Sequence, residues 1–157
     1  MQTLTDLTSL DAGASRPLIV FAHANGYPPE SYRMLLAPLA QKFRVLTVEH
    51  RPLWSDGGAP RTLDWQVYAD DLLATLKREV DEPVFLVGHS MGATIGMLAA
   101  LRAPSVFRGL VALDPVLLPL KYWMVGQVMR VFGKDLPMIR SALRRPHSFK
   151  SYQAAHD

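Results

Sequence analysis

The 157-residue chain contains no cysteine. A disulfide framework, a thiolate nucleophile and a cysteine-based metal site are therefore excluded. No apolar run approaches the roughly 20 residues of a membrane-spanning helix, and there is no internal repeat or low-complexity tract. The N-terminus, Met1-Gln2-Thr3-Leu4-Thr5-Asp6, lacks both the basic and the apolar segment of a secretory signal, so none is expected and the cytoplasm is the default location. No G-x-G-x-x-G or P-loop pattern follows the first predicted strand, which argues against a nucleotide binder. No motif favours nucleic acid, and none calls for a metal or an organic cofactor.

Negative charge is scarce at one end. The net charge is +3, but 10 Lys/Arg stand against 12 Asp/Glu before Pro115, and 7 against 2 from there on. A basic end suits anionic substrates or a membrane surface, but these charges are scattered rather than blocked, as on a solvated helical surface. Apolar side chains make up 49% of the chain, enough at this length for one domain with a real core.

Residues 1–16 have room for one edge strand. Pro17 to Ala22 is a continuous apolar run of strand length, the pattern of a strand buried on both faces. It ends in His23-Ala24-Asn25-Gly26-Tyr27-Pro28-Pro29, dense in turn residues. Glu30 to Ala40 reads as a helix that Pro38 kinks or breaks near its end. Phe43 to Glu49 reads as a strand, and Arg51 to Thr62 as a loop. Asp64 to Glu79 is the clearest helix, with Trp65, Tyr68, Ala69, Leu72, Leu73 and Leu76 on one face and Thr62 or Asp64 as its cap. The strand before Gly88, a small-residue helix over Ala93–Leu101 and the strand Gly109–Leu113 follow.

Strands alternating with helices specify an α/β fold, a mostly parallel sheet flanked by helices. Ligands of such sheets sit beyond the carboxyl ends of the strands. His23, Glu49-His50, Ser90 and Asp114 all fall at such ends. From Leu117 the pattern is helical, rich in Met, Trp and Tyr, with no further strand.

Gly88-His89-Ser90-Met91-Gly92 lies between a strand and a helix, the context of a nucleophile elbow. The turn is so sharp that positions two before and two after the serine crowd each other, which glycine tolerates. Ser90 is left at the tip, above a helix N-terminus whose free N–H groups and partial positive charge favour an oxyanion. The plainer reading is an N-cap serine in an ordinary βα unit; the flanking strand and helix favour the nucleophile.

Three segments together, His23-Ala24-Asn25-Gly26-Tyr27-Pro28, Gly88-His89-Ser90-Met91-Gly92 and Leu113-Asp114-Pro115, resemble the α/β-hydrolase family, in particular esterase and lipase-like members with an H-x-N-G-[FY]-P loop. The likeness is strong over residues 17–115. Residues 116–157 resemble, more weakly, the start of a helical lid. The resemblance implies a core over 1–115, a lid over 116–157, and hydrolysis of carboxylic esters through an acyl-enzyme on Ser90. One oxyanion donor would be the Met91 N–H. The second would come from the His23 loop, through the Tyr27 N–H, with Asn25 and Gly26 as alternatives. His23 would shape that loop and His89 would lie beside the site. Trp54, Tyr122, Trp123 and Met124 would line an acyl pocket or pack inside the cap.

A serine nucleophile needs a base and an acid, which this fold supplies after the serine in the order acid, then histidine. After Ser90 the carboxylates are Asp114, Asp135 and Asp157, and the histidines His147 and His156. Asp114 would act as the acid or shape a turn into the lid. The two histidines read as lid residues. The expectation is therefore the N-terminal portion of a serine hydrolase that lacks its acid and base, acts on an ester or acyl substrate, and self-associates through an exposed sheet edge. A non-catalytic binding protein of the same fold is the alternative.

Overall fold

The computed structural model describes residues 4–6, 16–53 and 64–117. Trp54, His147, His156 and the predicted lid beyond Leu117 lie outside the described residues. Five strands form one sheet: β1 (Leu4–Asp6), β2 (Leu18–Ala22), β3 (Arg44–Val48), β4 (Val84–His89) and β5 (Phe107–Leu113), in the spatial order β1-β3-β2-β4-β5. β1 runs antiparallel to β3, and the other pairings are parallel. Three helices join them: α1 (Arg33–Ala40), α2 (Trp65–Glu79) and α3 (Met91–Arg102).

β2 is buried along its whole length, as its unbroken apolar run requires. Its alternate residues feed two cores. Leu18, Val20 and Ala22 join Tyr68, Leu72 and Leu76 of α2 and Ile95 and Ala99 of α3. Ile19 and Phe21 join Leu36 and Ala40 of α1 and Val45 of β3. Helices thus cover opposite faces, as right-handed crossovers demand when the chain steps first from β2 to β3 and then back across to β4. The strand order reverses between β2 and β4, and the crevice beyond their carboxyl ends is where such sheets bind ligands.

The helices differ in detail from expectation. α1 is preceded by a 3-10 turn, Pro29–Tyr32, and Pro38 sits inside its last turn without ending it. α2 is capped by Asp64, whose carboxylate accepts the Gln66 N–H at 2.9 Å. Its inner face also buries Thr75, which an apolar-only pattern passes over. At the far end of the sheet Glu82 bridges Arg44 (2.8 Å) and Arg108 (3.3 Å). These half-exposed pairs contribute little to stability.

Candidate active site

β4 ends at His89 and α3 begins at Met91, so one residue, Ser90, makes the whole turn. Its backbone sits at φ 52° and ψ −114°, outside the allowed regions for an L-residue. Such a conformation costs on the order of 1–3 kcal/mol and persists only where the surroundings enforce it. Here the Ser90 N–H donates to Leu113 O of β5 at 2.9 Å, and Ser90 O accepts the Thr94 N–H at 3.2 Å. The Thr94 hydroxyl lies 3.3 Å from Ser90 O and 3.1 Å from Val116 O. Both glycines are required by close approach, though not in one way. A Cβ on Gly88 would stand 2.6 Å from Ala93 N and 2.7 Å from Gly92 C, the crowding expected across the elbow. A Cβ on Gly92 would stand 2.2 Å from Ala22 O and 2.7 Å from His23 O, so Gly92 seats the elbow against the end of β2.

The loop after β2 is equally constrained. The His23 ring is fully buried. Its Nε2 accepts the His50 N–H at 3.0 Å, which leaves Nδ1 protonated and donating to Ala24 O at 2.7 Å. Both nitrogens are engaged, and burial pushes the ring's pKa below the ordinary histidine value against the opposing effects of the Ala24 bond, Glu49 and Glu30. His23 holds the loop. Ala24 O also accepts the Tyr27 N–H at 3.2 Å, closing a turn in which Gly26 has φ 75°, as the third position of a type II turn requires.

The Tyr27 N–H, taken from sequence as the second oxyanion donor, already has its acceptor. The N–H groups of Asn25 and Gly26 have none among the described residues. A peptide is planar and trans, so Ala24 O, turned inward to His23 and Tyr27, points the Asn25 N–H of the same peptide the opposite way.

Two features escaped the sequence reading. The Tyr32 Oη accepts the Ala24 N–H at 3.1 Å and lies 2.7 Å from His89 Nδ1, joining the loop to the elbow. No motif marks a tyrosine nine positions after the loop histidine. The second is the burial of His50, which the sequence places only at a strand end: it is 1% exposed, and its ring stands 4.7 Å from that of His23 and 6.2 Å from Tyr68. Neither of its ring nitrogens has a partner among the described residues. Beside it, Arg51 forms a two-point ion pair with Asp71 of α2 (2.5 and 2.8 Å).

His50 gives the fold a pH dependence. Burial first, and His23 second, push its pKa down from 6.5 to about 3. Between those values the unfolded chain binds a proton that the native protein does not. Stability is therefore complete above pH 6.5 and falls as pH drops towards 3, at about 1.4 kcal/mol per pH unit. Urea unfolding is expected to show a loss of about 2 kcal/mol between pH 7 and 5 from His50, with His23 adding in the same direction. His50→Leu is expected to flatten that slope by one proton.

Asp114, at the end of β5, has φ 45° and an exposed side chain. It follows directly on Leu113, whose carbonyl accepts the Ser90 N–H. No partner for its carboxylate occurs among the described residues, and no group of His, Asp or Glu there forms a metal site. No helix among them is long and apolar enough to cross a membrane.

A strained serine between two crowded glycines, opposite a loop braced by a buried histidine, is the arrangement to set beside known proteins. The Alpha/beta hydrolase family model matches residues 19–155. The chain belongs to the α/β-hydrolase family. It is 33% identical over 114 residues to the monoglyceride lipase of Rattus norvegicus, covering 68% of this chain and 37% of that protein. It is 36% identical over 109 residues to an sn-1-specific diacylglycerol lipase of Mus musculus, covering 67% and 34%. Among solved structures, the N-formylmaleamic acid deformylase of Pseudomonas putida aligns with TM-score 0.57 at 27% identity, over 71% of this chain and 42% of that one. The chain thus spans about a third of the length of these curated α/β-hydrolase relatives.

Proposed function

We propose that this chain carries the nucleophile and oxyanion hole of a serine hydrolase acting on carboxylic esters. The observation that carries the reading is Ser90 itself, held in a disfavoured conformation between the carboxyl end of β4 and the N-terminus of α3. In the reaction, Ser90 Oγ attacks the ester carbonyl carbon and its proton passes to a base. The carbonyl oxygen becomes an oxyanion, which the Met91 and Asn25 N–H groups receive. The C–O bond to the alcohol breaks, the alcohol leaves with the proton, and water then cleaves the acyl-serine. Each such donor is worth about 3–4 kcal/mol in the transition state.

The base is assigned outside the described residues. Among the described histidines, His23 has both nitrogens engaged, His50 is sealed in the core, and His89 Nδ1 is bonded to Tyr32. Asp114 remains a candidate acid by its position at the end of β5. Lipid-like acyl esters are the favoured substrates, in keeping with the names of the two lipases to which the chain is similar. We place the reaction in the cytoplasm on the sequence reading alone.

The lack of a free imidazole beside Ser90 among the described residues favours a second reading, a binding protein of the same fold. Fluorophosphonate labelling separates the two. The hydrolase reading expects one covalent adduct, on Ser90, abolished by Ser90→Ala. A binding protein gives none.

Self-association belongs to the same proposal. Among the described residues β5 pairs only with β4, and Val111 and Phe85 are 52% and 38% exposed. An unpaired, partly apolar edge invites pairing. The isolated 157-residue chain is expected to elute as a dimer or larger in light-scattering chromatography, and a monodisperse monomer would contradict that.

A further inference from the structure

The two donors proposed for the oxyanion sit on different pieces of chain. Met91 rides on the elbow, and Asn25 on the loop after β2. Both must stay about 3 Å from one oxygen to stabilise the intermediate, so catalysis depends on what fixes loop against elbow. The packing of Gly92 on the Ala22 and His23 carbonyls secures the end of β2 but not the residues beyond it. Tyr32 reaches further.

The Tyr32 hydroxyl accepts the Ala24 N–H at 3.1 Å and is hydrogen-bonded to His89 Nδ1 at 2.7 Å. The opposite group of Ala24, its carbonyl, is held by the His23 ring and the Tyr27 N–H. The residue before Asn25 is therefore clamped at both polar groups, and the outer clamp leads to His89, the residue before Ser90. The Tyr32 ring is itself oriented by packing on Phe21 of β2, with centroids 4.6 Å apart, and edge-on to His89 at 5.6 Å. Remove the hydroxyl, and the ring keeps its packing while the tie between loop and elbow is lost.

We infer that Tyr32 is a positioning residue: its hydroxyl, through Ala24 and His89, sets the distance between the two halves of the oxyanion hole. This rests on Ser90 being the nucleophile. A misplacement of about 1 Å at such a site costs on the order of 100-fold in rate.

The test uses the protein as its source cell makes it, with Tyr32→Phe, His89→Phe, the double variant and Ser90→Ala. Tyr32→Phe is expected to lower kcat for an activated ester about 10- to 100-fold with KM unchanged within about twofold. Affinity for an alkyl boronic acid, which forms a tetrahedral adduct on serine, should fall in parallel. His89→Phe should cost the same, and the double variant no more than either single one, because the three share one bridge. His89→Asn, whose side-chain amide can donate or accept in place of Nδ1, should recover at least about fivefold over His89→Phe, a rescue that general loss of packing would not give.

Wild-type kcat in Tyr32→Phe, with Ser90→Ala inactive, overturns the inference while leaving the nucleophile in place. Additive losses in the double variant, or no recovery in His89→Asn, overturn it as well, even if Tyr32→Phe folds poorly. Full turnover in Ser90→Ala brings down the nucleophile assignment, and the positioning role with it.

Discussion

Ser90→Ala is expected to lower ester turnover by at least about 10⁴-fold, since removing a serine nucleophile leaves only the catalysis that binding and the oxyanion hole supply. The backbone of Ser90 makes a second, less obvious outcome testable. At φ 52° and ψ −114° the serine carries strain that glycine would not feel. Ser90→Gly should therefore be as inactive as Ser90→Ala yet more stable than the native protein, by about 1 kcal/mol after allowing for glycine's greater freedom in the unfolded chain. Chemical denaturation of the three proteins side by side measures this. Equal stability of the glycine and alanine variants would mean that the elbow is not strained.

Gly92→Ala is expected to be the most damaging alanine substitution among the described glycines. The new carbon would lie 2.2 Å from Ala22 O and 2.5 Å from Ala22 C. Those are backbone atoms of β2, which is paired on both sides and fully buried, so nothing can step aside cheaply. A loss of about 3 kcal/mol or more is expected, the upper end of what overpacking costs, together with loss of Ser90 labelling as the elbow moves off β2. Gly26→Ala is the control. It has a positive φ, which Gly92 does not, but its new carbon would meet nothing within 4 Å, so its cost should be only the conformational one, about 1 kcal/mol. Similar losses at the two positions would contradict the close-approach account of Gly92.

Much of this was legible in the sequence because single-residue physics decides it. A run such as Leu18–Ala22 has no polar side to show water, so it must be a central strand, and it is. Gly88-x-Ser90-x-Gly92 between a strand and a helix leaves one way to turn. The alternation of strands and helices then fixes which ends gather His23, Ser90 and Asp114. What could not be read depends on partners distant along the chain. The crowding of Gly92 comes from Ala22, seventy residues earlier. Tyr32 looks like any aromatic residue at the start of a helix until His89 and Ala24 are seen on its hydroxyl. His50 reads as a polar strand-end residue, yet it is sealed against His23 and Tyr68. The choice of donor among Asn25, Gly26 and Tyr27 was open for a related reason. A loop sequence names the donors available, but only its internal hydrogen bonds tell which of them are already engaged.

The central claim is that Ser90 becomes covalently acylated, and the direct measurement is to trap that species. The protein would be mixed with a p-nitrophenyl acyl ester, quenched in acid within the first turnovers, digested with trypsin and mapped by mass spectrometry. Cleavage after Arg78 and Arg102 releases residues 79–102 as one peptide in which Ser90 is the only serine. Added acyl mass on that peptide, fragmenting to Ser90 and absent from Ser90→Ala, is the predicted result. Turnover of the ester with the peptide unmodified, or with the acyl group on another residue, would contradict the account.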